Sequence, residues 1–228
     1  MIDADKELKL LFDAKVHLGH KTNRIHPKAK KNIYTIDNGV SIIDLTKTLE
    51  YLNKAKAYIK QLVKDNKTLL IVATKKIVAS SIQKVCQENN ISHITTKWPA
   101  GLLTNFETIK KNVNKLKQMK IDKEEGKWQK LVKHEQSALN KELIKLEKFY
   151  GGIINMTKIP DALLIVDIKK EKNSLNEAKK YKIPVIAIAD TNVDPDQVTY
   201  PIPGNDDSLS SVECLFNELI QPYLKEKK

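Results

Sequence analysis

Residues 102–150 read LLTNFETIKKNVNKLKQMKIDKEEGKWQKLVKHEQSALNKELIKLEKFY and hold two apolar stripes with the three- and four-residue spacing of helices. The first stripe consists of Phe106, Ile109, Val113 and Leu116. The second stripe consists of Leu139, Leu143, Leu146 and Tyr150. A polar break at residues 122–127, with Gly126 as the turn residue, separates the two stripes. The pattern therefore predicts an inserted antiparallel helical hairpin, a coiled-coil arm, that ends at Gly151-Gly152.

The outer faces of this predicted arm are rich in lysine. The residues are Lys110, Lys111, Lys115, Lys117, Lys120, Lys123, Lys127, Lys130 and Lys133. Both a solvated charged face and a surface that contacts phosphates fit this composition and spacing. At the start of the arm, Thr104 followed by Glu107 has the spacing of a capping box.

The flanks of the arm alternate apolar runs with amphipathic segments. The runs Leu69–Ala73, Ala162–Asp167 and Pro184–Asp190 are continuous, as expected for parallel strands that are buried on both sides. Amphipathic segments lie between them, so the sequence predicts an α/β fold with a parallel sheet and helices on both faces. We expect one discontinuous body of residues 1–103 and 151–228, with residues 104–150 inserted as the arm.

The net charge of +12 favours a polyanionic partner. Arg24 is the only arginine among 40 basic residues, a bias that is also typical of an AT-rich coding sequence. Because lysine binds phosphate as a point charge, the composition favours docking on a nucleic-acid backbone over the reading of base sequence. No apolar run approaches the length of a membrane span, so we expect no membrane partner.

The candidate catalytic and metal-binding residues are few. His17 and His20 have the spacing of ligands on one helical turn, but Gly19 weakens that helix, and we expect no metal there. Cys86 and Cys214 are expected to be ordinary thiols. Aspartates follow several predicted strands and could hold magnesium, yet no nucleophile elbow or phosphate-binding glycine loop accompanies them. The sequence therefore predicts no catalytic site and no cofactor.

Several blocks together resemble the ribosomal protein S2 family of the small subunit, in its bacterial or organellar form. These blocks are HLGHKTNRIHPKAKKNIY, IIDLTKT, KWPAGLLTNFETI, PDALLIVD, IPVIAIADTNVDPD and YPIPGNDDS, in the order in which the family has them. The resemblance implies a flavodoxin-like body with an inserted helical hairpin and no enzymatic activity. It also implies contact with small-subunit rRNA on the outer side of the subunit. Neighbouring small-subunit proteins are implied too, among them ribosomal protein S1 or an organelle-specific replacement.

The resemblance also assigns RNA-contacting positions. They are His17, His20, Lys21, Thr22, Arg24, Lys28, Lys75, Lys76, Lys97, Trp98, Thr104 and Asn105, to which we add Lys110 and Lys111 from the arm. Trp98 could stack on a base or be buried at the arm root. The family's Leu-Gly-Gly is Pro99-Ala100-Gly101 here, which could rearrange this loop. The compartment implied is either bacterial cytoplasm or an organellar, mitochondrial matrix.

Overall fold

The computed structural model describes residues 2–226. Its α-helices are α1 (Ile2–Asp13), α2 (Leu45–Lys64), α3 (Lys76–Glu88), α4 (Phe106–Glu124), α5 (Lys133–Tyr150), α6 (Lys172–Lys180) and α7 (Leu209–Glu226). Its strands are β1 (Leu18–Lys21), β2 (Ile33–Asp37), β3 (Val40–Ile43), β4 (Leu69–Val72), β5 (His93–Ile94), β6 (Ala162–Ile165), β7 (Val185–Ala189) and β8 (Tyr200–Pro203). Among these helices, none is long and apolar enough to cross a membrane.

The main sheet of the described residues has five parallel strands in the order β5-β4-β6-β7-β8. Numbered along the chain, this order is 2-1-3-4-5, which agrees with a flavodoxin-like fold. The predicted parallel α/β architecture is therefore confirmed. Strand β8, which holds Pro201 and Pro203, pairs with β7 and forms the sheet edge.

Both faces of this sheet are buried because successive strand residues point to opposite sides. Leu69 and Ile71 contribute to the core beneath α1, α2, α3 and α7. Leu70 and Val72 contribute to a second core with α6 and the residues before α4. The buried polar residues Thr74 and Asp190 accordingly lie just beyond the carboxyl ends of β4 and β7.

A small antiparallel sheet has the order β1-β3-β2, and its strand β1 was not predicted. The segment that contains β1 has an irregular, basic sequence without alternation, so its pairing with β3 comes from tertiary contact. Gly19 lies in this strand, where an added Cβ would be 2.5 Å from Ser41 Oγ. The strand therefore needs glycine to approach its neighbours.

Helices α4 and α5 are joined by a short 3₁₀ helix, Lys127–Lys130, and pack around a core of their own. Asn112 Nδ2 donates to Tyr150 Oη at 3.2 Å, and Lys123 Nζ donates to Asn140 Oδ1 at 2.9 Å. These contacts join the beginning of α4 to the end of α5, and the end of α4 to the first half of α5. The core includes Trp128, which the apolar stripes did not indicate.

The predicted capping box at Thr104 is wrong. Helix α4 begins at Phe106, and Asn105 is its N-cap residue without a side-chain capping bond. The Thr104 hydroxyl instead lies 3.4 Å from a carboxylate oxygen of Glu177. A tertiary acceptor outcompetes the local capping interaction that the spacing suggested.

We expect Gly152→Ala to destabilise the protein by roughly 1–3 kcal/mol, because the new methyl group would overpack a rigid site. An added Cβ at Gly152 would be 2.2 Å from the backbone oxygen of His93. The matched control is Gly151→Ala, whose Cβ would meet Glu147 Oε1 at 2.8 Å, the end of a flexible side chain. Urea unfolding measures both variants, and equal stabilities would contradict this account of the close approach.

Candidate nucleic-acid interface

The N-terminal basic block, residues 17–31, is held against the loop that follows β7. The His20 amide donates to Thr191 Oγ1 at 2.9 Å, and the His26 amide donates to the Thr191 carbonyl at 2.8 Å. Two short 3₁₀ helices, Thr22–Arg24 and Pro27–Asn32, follow β1. The block is therefore folded onto the carboxyl edge of the sheet before any partner binds.

His17 and His20, which the sequence placed three residues apart, do not share a site. The His17 ring stacks on Phe12 with a centroid distance of 4.4 Å, and burial lowers the pKa of His17. The His20 ring faces Asp190 at 3.1 Å and Asp207 at 3.4 Å. The hydrogen bond that His20 donates to the Asp190 carboxylate raises the pKa of His20. The two rings therefore contact different parts of the protein. His17 packs against α1, and His20 faces the carboxylates at the carboxyl edge.

Lys75 lies at the centre of a cluster of carboxylates at the carboxyl edge. Its Nζ is 2.8 Å from Asp206, 2.6 Å from Asp207 and 3.6 Å from Asp167. Burial opposes the charge on Lys75, but the hydrogen bonds to Asp206 and Asp207 outweigh it and raise the pKa of Lys75. Burial, together with the charges of Asp167 and Asp190, raises the pKa of Asp206 to about 7. Lys75 therefore neutralises carboxylates of its own chain.

Ligand atoms of His20, Asp190 and Asp207 lie within 4.8 Å of one another, a spacing that a divalent cation could bridge. His20 already contacts both carboxylates, and Lys75 occupies another oxygen of Asp207. The cluster therefore has internal partners for its charges. The cluster lies at the carboxyl edge of the sheet, where the aspartates that follow the predicted strands were expected.

The predicted RNA-contacting residues differ in the exposure of their side chains. Those whose side chains are exposed are Lys21, Thr22, Arg24, Lys28, Lys76, Lys97, Thr104, Asn105, Lys110 and Lys111. Of these, Lys28 forms an ion pair with Asp194 at 2.8 Å. His17, His20 and Lys75 are half-buried, and Trp98 is only 6% exposed. Lysines at the surface are thus the side chains best placed to reach a phosphate.

Lys76 lies beside the end of α5. A groove of about 430 Å³ runs between α3, β5 and α5, and Lys76, Thr96 and Lys148 are among its lining residues. Thr96 Oγ1 donates to the Lys148 carbonyl at 2.6 Å, which joins the strand end to the helix end. The exposed Lys97 follows directly in sequence. The fold thus brings the start of α3 close to the end of α5, with Lys76 and Lys148 lining the same groove.

The lysines that the sequence placed on the outer faces of residues 104–150 differ in their partners, and Lys123 donates a hydrogen bond to Asn140. Lys120 pairs with Glu147 at 2.6 Å, Lys127 pairs with Asp122 at 2.7 Å, and Lys115 pairs with Glu142. Within residues 2–226, no ion pair involves Lys110, Lys111, Lys117, Lys130 or Lys133. Sequence spacing could not separate these groups, because the acidic partners lie mainly on the opposite helix. The unpaired group keeps its charge available to a polyanion.

Sequence reasoning also missed Glu177 of α6. Its carboxylate accepts hydrogen bonds from Trp98 Nε1 and from the backbone amides of Gly101 and Leu103, each at 2.9 Å. Burial raises the pKa of this carboxyl, but the hydrogen bonds outweigh it and the net pKa is lowered. A glutamate in a lysine-rich helix carries no signal in the sequence that reveals such a role.

The altered loop at Pro99-Ala100-Gly101 keeps a regular turn. The Leu102 amide donates to the Pro99 carbonyl at 3.1 Å, and Gly101 has φ +88°. Only the third position of this turn needs the left-handed conformation, as in a type II turn, and glycine occupies it. Ala100 does not need a positive φ, so the turn forms although Pro99 and Ala100 replace the leucine and the first glycine of the family's sequence.

Comparison with known proteins gives a consistent result. The sequence model of the family described as Ribosomal protein S2 matches residues 11–225. The small ribosomal subunit protein uS2 of Bdellovibrio bacteriovorus is 40% identical over 225 residues. That alignment covers 99% of this chain and 72% of the relative.

We expect Lys75→Met to destabilise the protein by roughly 3 kcal/mol near pH 8, because it leaves buried carboxylates without their cation. The loss should be smaller at pH 5. The pKa of Asp206 is raised to about 7, so the stability linked to its protonation is present at low pH and declines as the pH rises from about 4 through 7.

The control is Lys76→Met, which removes an exposed lysine and should change stability by about 0.5 kcal/mol or less. Denaturant unfolding of both variants at the two pH values provides the measurement. A Lys75→Met loss that does not depend on pH, or that equals the control, would refute the neutralising role.

Proposed function

The chain belongs to the ribosomal protein S2 family, and we propose that it docks on small-subunit rRNA through the exposed lysines around the arm root. As a member of this family it is a structural, non-enzymatic component of the small ribosomal subunit and takes part in translation. Membership implies association with the rRNA and other proteins of the subunit. The proposal concerns which surface makes the RNA contact.

The observation that carries the proposal is the separation of paired from unpaired lysines. Lys76 and Lys97 are exposed on the body, and Lys110 and Lys111 are exposed in the first turns of α4. The described residues provide no ion pair for any of these four side chains. Their charges are therefore free to replace counterions on phosphates, which supplies most of the sequence-independent affinity for nucleic acid.

The predicted RNA-contacting residues of the N-terminal block differ in how directly their side chains can reach RNA. Lys21, Thr22 and Arg24 are exposed on the folded block and can reach RNA as they stand. Lys28 can do so by exchanging its carboxylate partner for phosphate, since its side chain is 54% exposed. His17, His20, Lys75 and Trp98 act chiefly by holding the surface in shape. Because a preformed surface suits RNA recognition by shape, the block contributes geometry as well as charge.

We propose further that residues 104–150 form an inserted antiparallel hairpin, with residues 1–103 and 151–228 as the body. The separate core around Leu116, Met119, Trp128 and Leu143 supports this division. Ile109 and Val113 pack with the body core instead, so the base of α4 is anchored and the remainder extends beyond it. Such an arm would present Lys110 and Lys111 at its anchored base, where their positions are most sharply fixed.

A protein contact at the far end of the hairpin is the second candidate function. Val132 and Leu131 are 65% and 38% exposed beside the turn between the helices, and Ile121 is 45% exposed. Apolar side chains grouped in this way favour contact with a neighbouring protein. Ribosomal protein S1, or an organelle-specific replacement, is the proposed neighbour, and the compartment is the bacterial cytoplasm or an organelle matrix. Replacement of Ile121, Leu131 and Val132 with serine, with loss of a protein neighbour but retention of RNA, would support this function.

We expect the double variant Lys110→Gln, Lys111→Gln to bind small-subunit rRNA more weakly and with less salt dependence. Loss of two phosphate contacts should reduce the slope of log K against log salt by roughly 1.4 to 1.8. Binding of the purified chain to the rRNA, titrated at several salt concentrations, measures this slope.

The control for this pair is Lys64→Gln with Lys84→Gln, which removes the same charge from exposed positions on α2 and α3 outside the proposed surface. Its slope should stay close to that of the unmodified protein. Equal slopes for the two double variants would show that net charge, and not this surface, determines binding.

A further inference from the structure

We infer that Glu177 is the positioning residue that fixes the direction in which α4 leaves the body, and that it thereby places the rRNA-contacting lysines. The inference rests on the proposed function, because it concerns how the same surface is held. It assigns a role to a side chain of α6, an element that the proposed RNA surface does not include.

The carboxylate of Glu177 binds one continuous loop through both of its oxygens. Oε1 accepts from Trp98 Nε1 and the Gly101 amide, each at 2.9 Å. Oε2 accepts from the Leu103 amide at 2.9 Å and from the Thr104 amide at 3.3 Å, with the Thr104 hydroxyl at 3.4 Å. One side chain thus satisfies several donors that lie immediately before α4. These bonds to an ionised acceptor are stronger than bonds between neutral groups.

Both sides of this contact are rigid. Leu175 and Ala178, which flank Glu177 on α6, are 2% and 0% exposed in the core beneath the sheet. On the loop side, Trp98, Leu102 and Leu103 are buried in the same core. The carboxylate therefore joins α6 to the loop before α4, and it holds the backbone amides of that loop in place.

No side-chain cap replaces this contact at the start of α4, and the packing of Ile109 and Val113 on the body core begins only further along the helix. Asn105, the N-cap residue, makes no side-chain capping bond, and helix α4 begins two residues after Thr104. Loss of the carboxylate would leave the amides of Gly101, Leu103 and Thr104 without their acceptor. Lys110 and Lys111 lie within the first two turns of α4, so a change in the course of the loop displaces them relative to Lys76 and Lys97.

The test is Glu177→Gln in the full chain. Glutamine has nearly the same shape, but one oxygen becomes an NH₂ group that faces N–H donors. Hydrogen exchange at the amides of Gly101, Leu103 and Thr104 should become roughly tenfold faster or more. Incorporation of the variant into small subunits lacking this protein should fall several-fold. Amides of β7 should keep their protection, which shows that the body remains folded.

The matched control is Glu88→Gln, which makes the same chemical change at an exposed position of α3. It should behave like the unmodified protein in both measurements. A pH titration gives an independent signature. The pKa of Glu177 is lowered, so its contacts persist above the ordinary glutamate pKa of about 4.3 and are lost as the pH falls through the lowered value. The indole N–H resonance of Trp98 should shift with that step, and the step should be absent in Glu177→Gln.

Distinct outcomes separate this inference from the proposed function. Full incorporation of Glu177→Gln with a loosened loop would overturn the positioning role and leave the rRNA-docking proposal standing. Failure of the unmodified protein to enter subunits or bind rRNA would overturn both. If Glu177→Gln loses protection in β7, Gly101→Ala tests the same loop, because Gly101 has φ +88° and alanine is strained there. Normal incorporation of a folded Gly101→Ala with a loosened loop would then refute the inference.

Discussion

The ion pairs of Lys75 with Asp206, Asp207 and Asp167 hold together the carboxyl edge of the sheet. Asp206 is 3% exposed and Asp190 is 2% exposed, so each carboxylate has lost most of its hydration. A buried carboxylate is tolerated only when a cation or several donors compensate for that loss. Lys75, His20 and the amides of Thr191 and Asp206 supply this compensation, and they come from distant parts of the chain. The N-terminal block and the start of α3 take their positions from this cluster.

A consequence is that the basic residues of the protein perform two different tasks. Lys75, Lys120 and Lys127 stabilise the fold by pairing with carboxylates, whereas Lys76 and Lys110 have side chains exposed to solvent. Composition reports only the sum of these charges. The side chains available to a polyanion are the exposed lysines that have no ion-pair partner among the described residues. The carboxylates also have different roles. Asp206 pairs with Lys75, whereas Glu177 accepts hydrogen bonds from backbone amides.

The sequence predicted the main sheet well, because strands buried on both sides leave a continuous apolar run such as Leu69–Ala73. It also predicted the helices that follow these strands, and α4 and α5 from their apolar stripes. Strand β1 escaped prediction because its pairing depends on tertiary contacts of a basic, glycine-containing segment. For the candidate site, the resemblance named Lys76 and Lys97 and the arm pattern added Lys110 and Lys111, but neither indicated the partners of Lys75, His20 and Trp98. Those partners are more than 75 residues away in each case, and no local pattern encodes such pairings.

Lysine acylation followed by mass spectrometry, on the free chain and on its complex with small-subunit rRNA, tests the central claim most directly. The account predicts that Lys76, Lys97, Lys110 and Lys111 react readily in the free protein and become protected in the complex. Lys64 and Lys84 should react equally in both states, and Lys75 should react slowly in both. Protection confined to Lys64 and Lys84, with the arm-root lysines unchanged, would contradict the account.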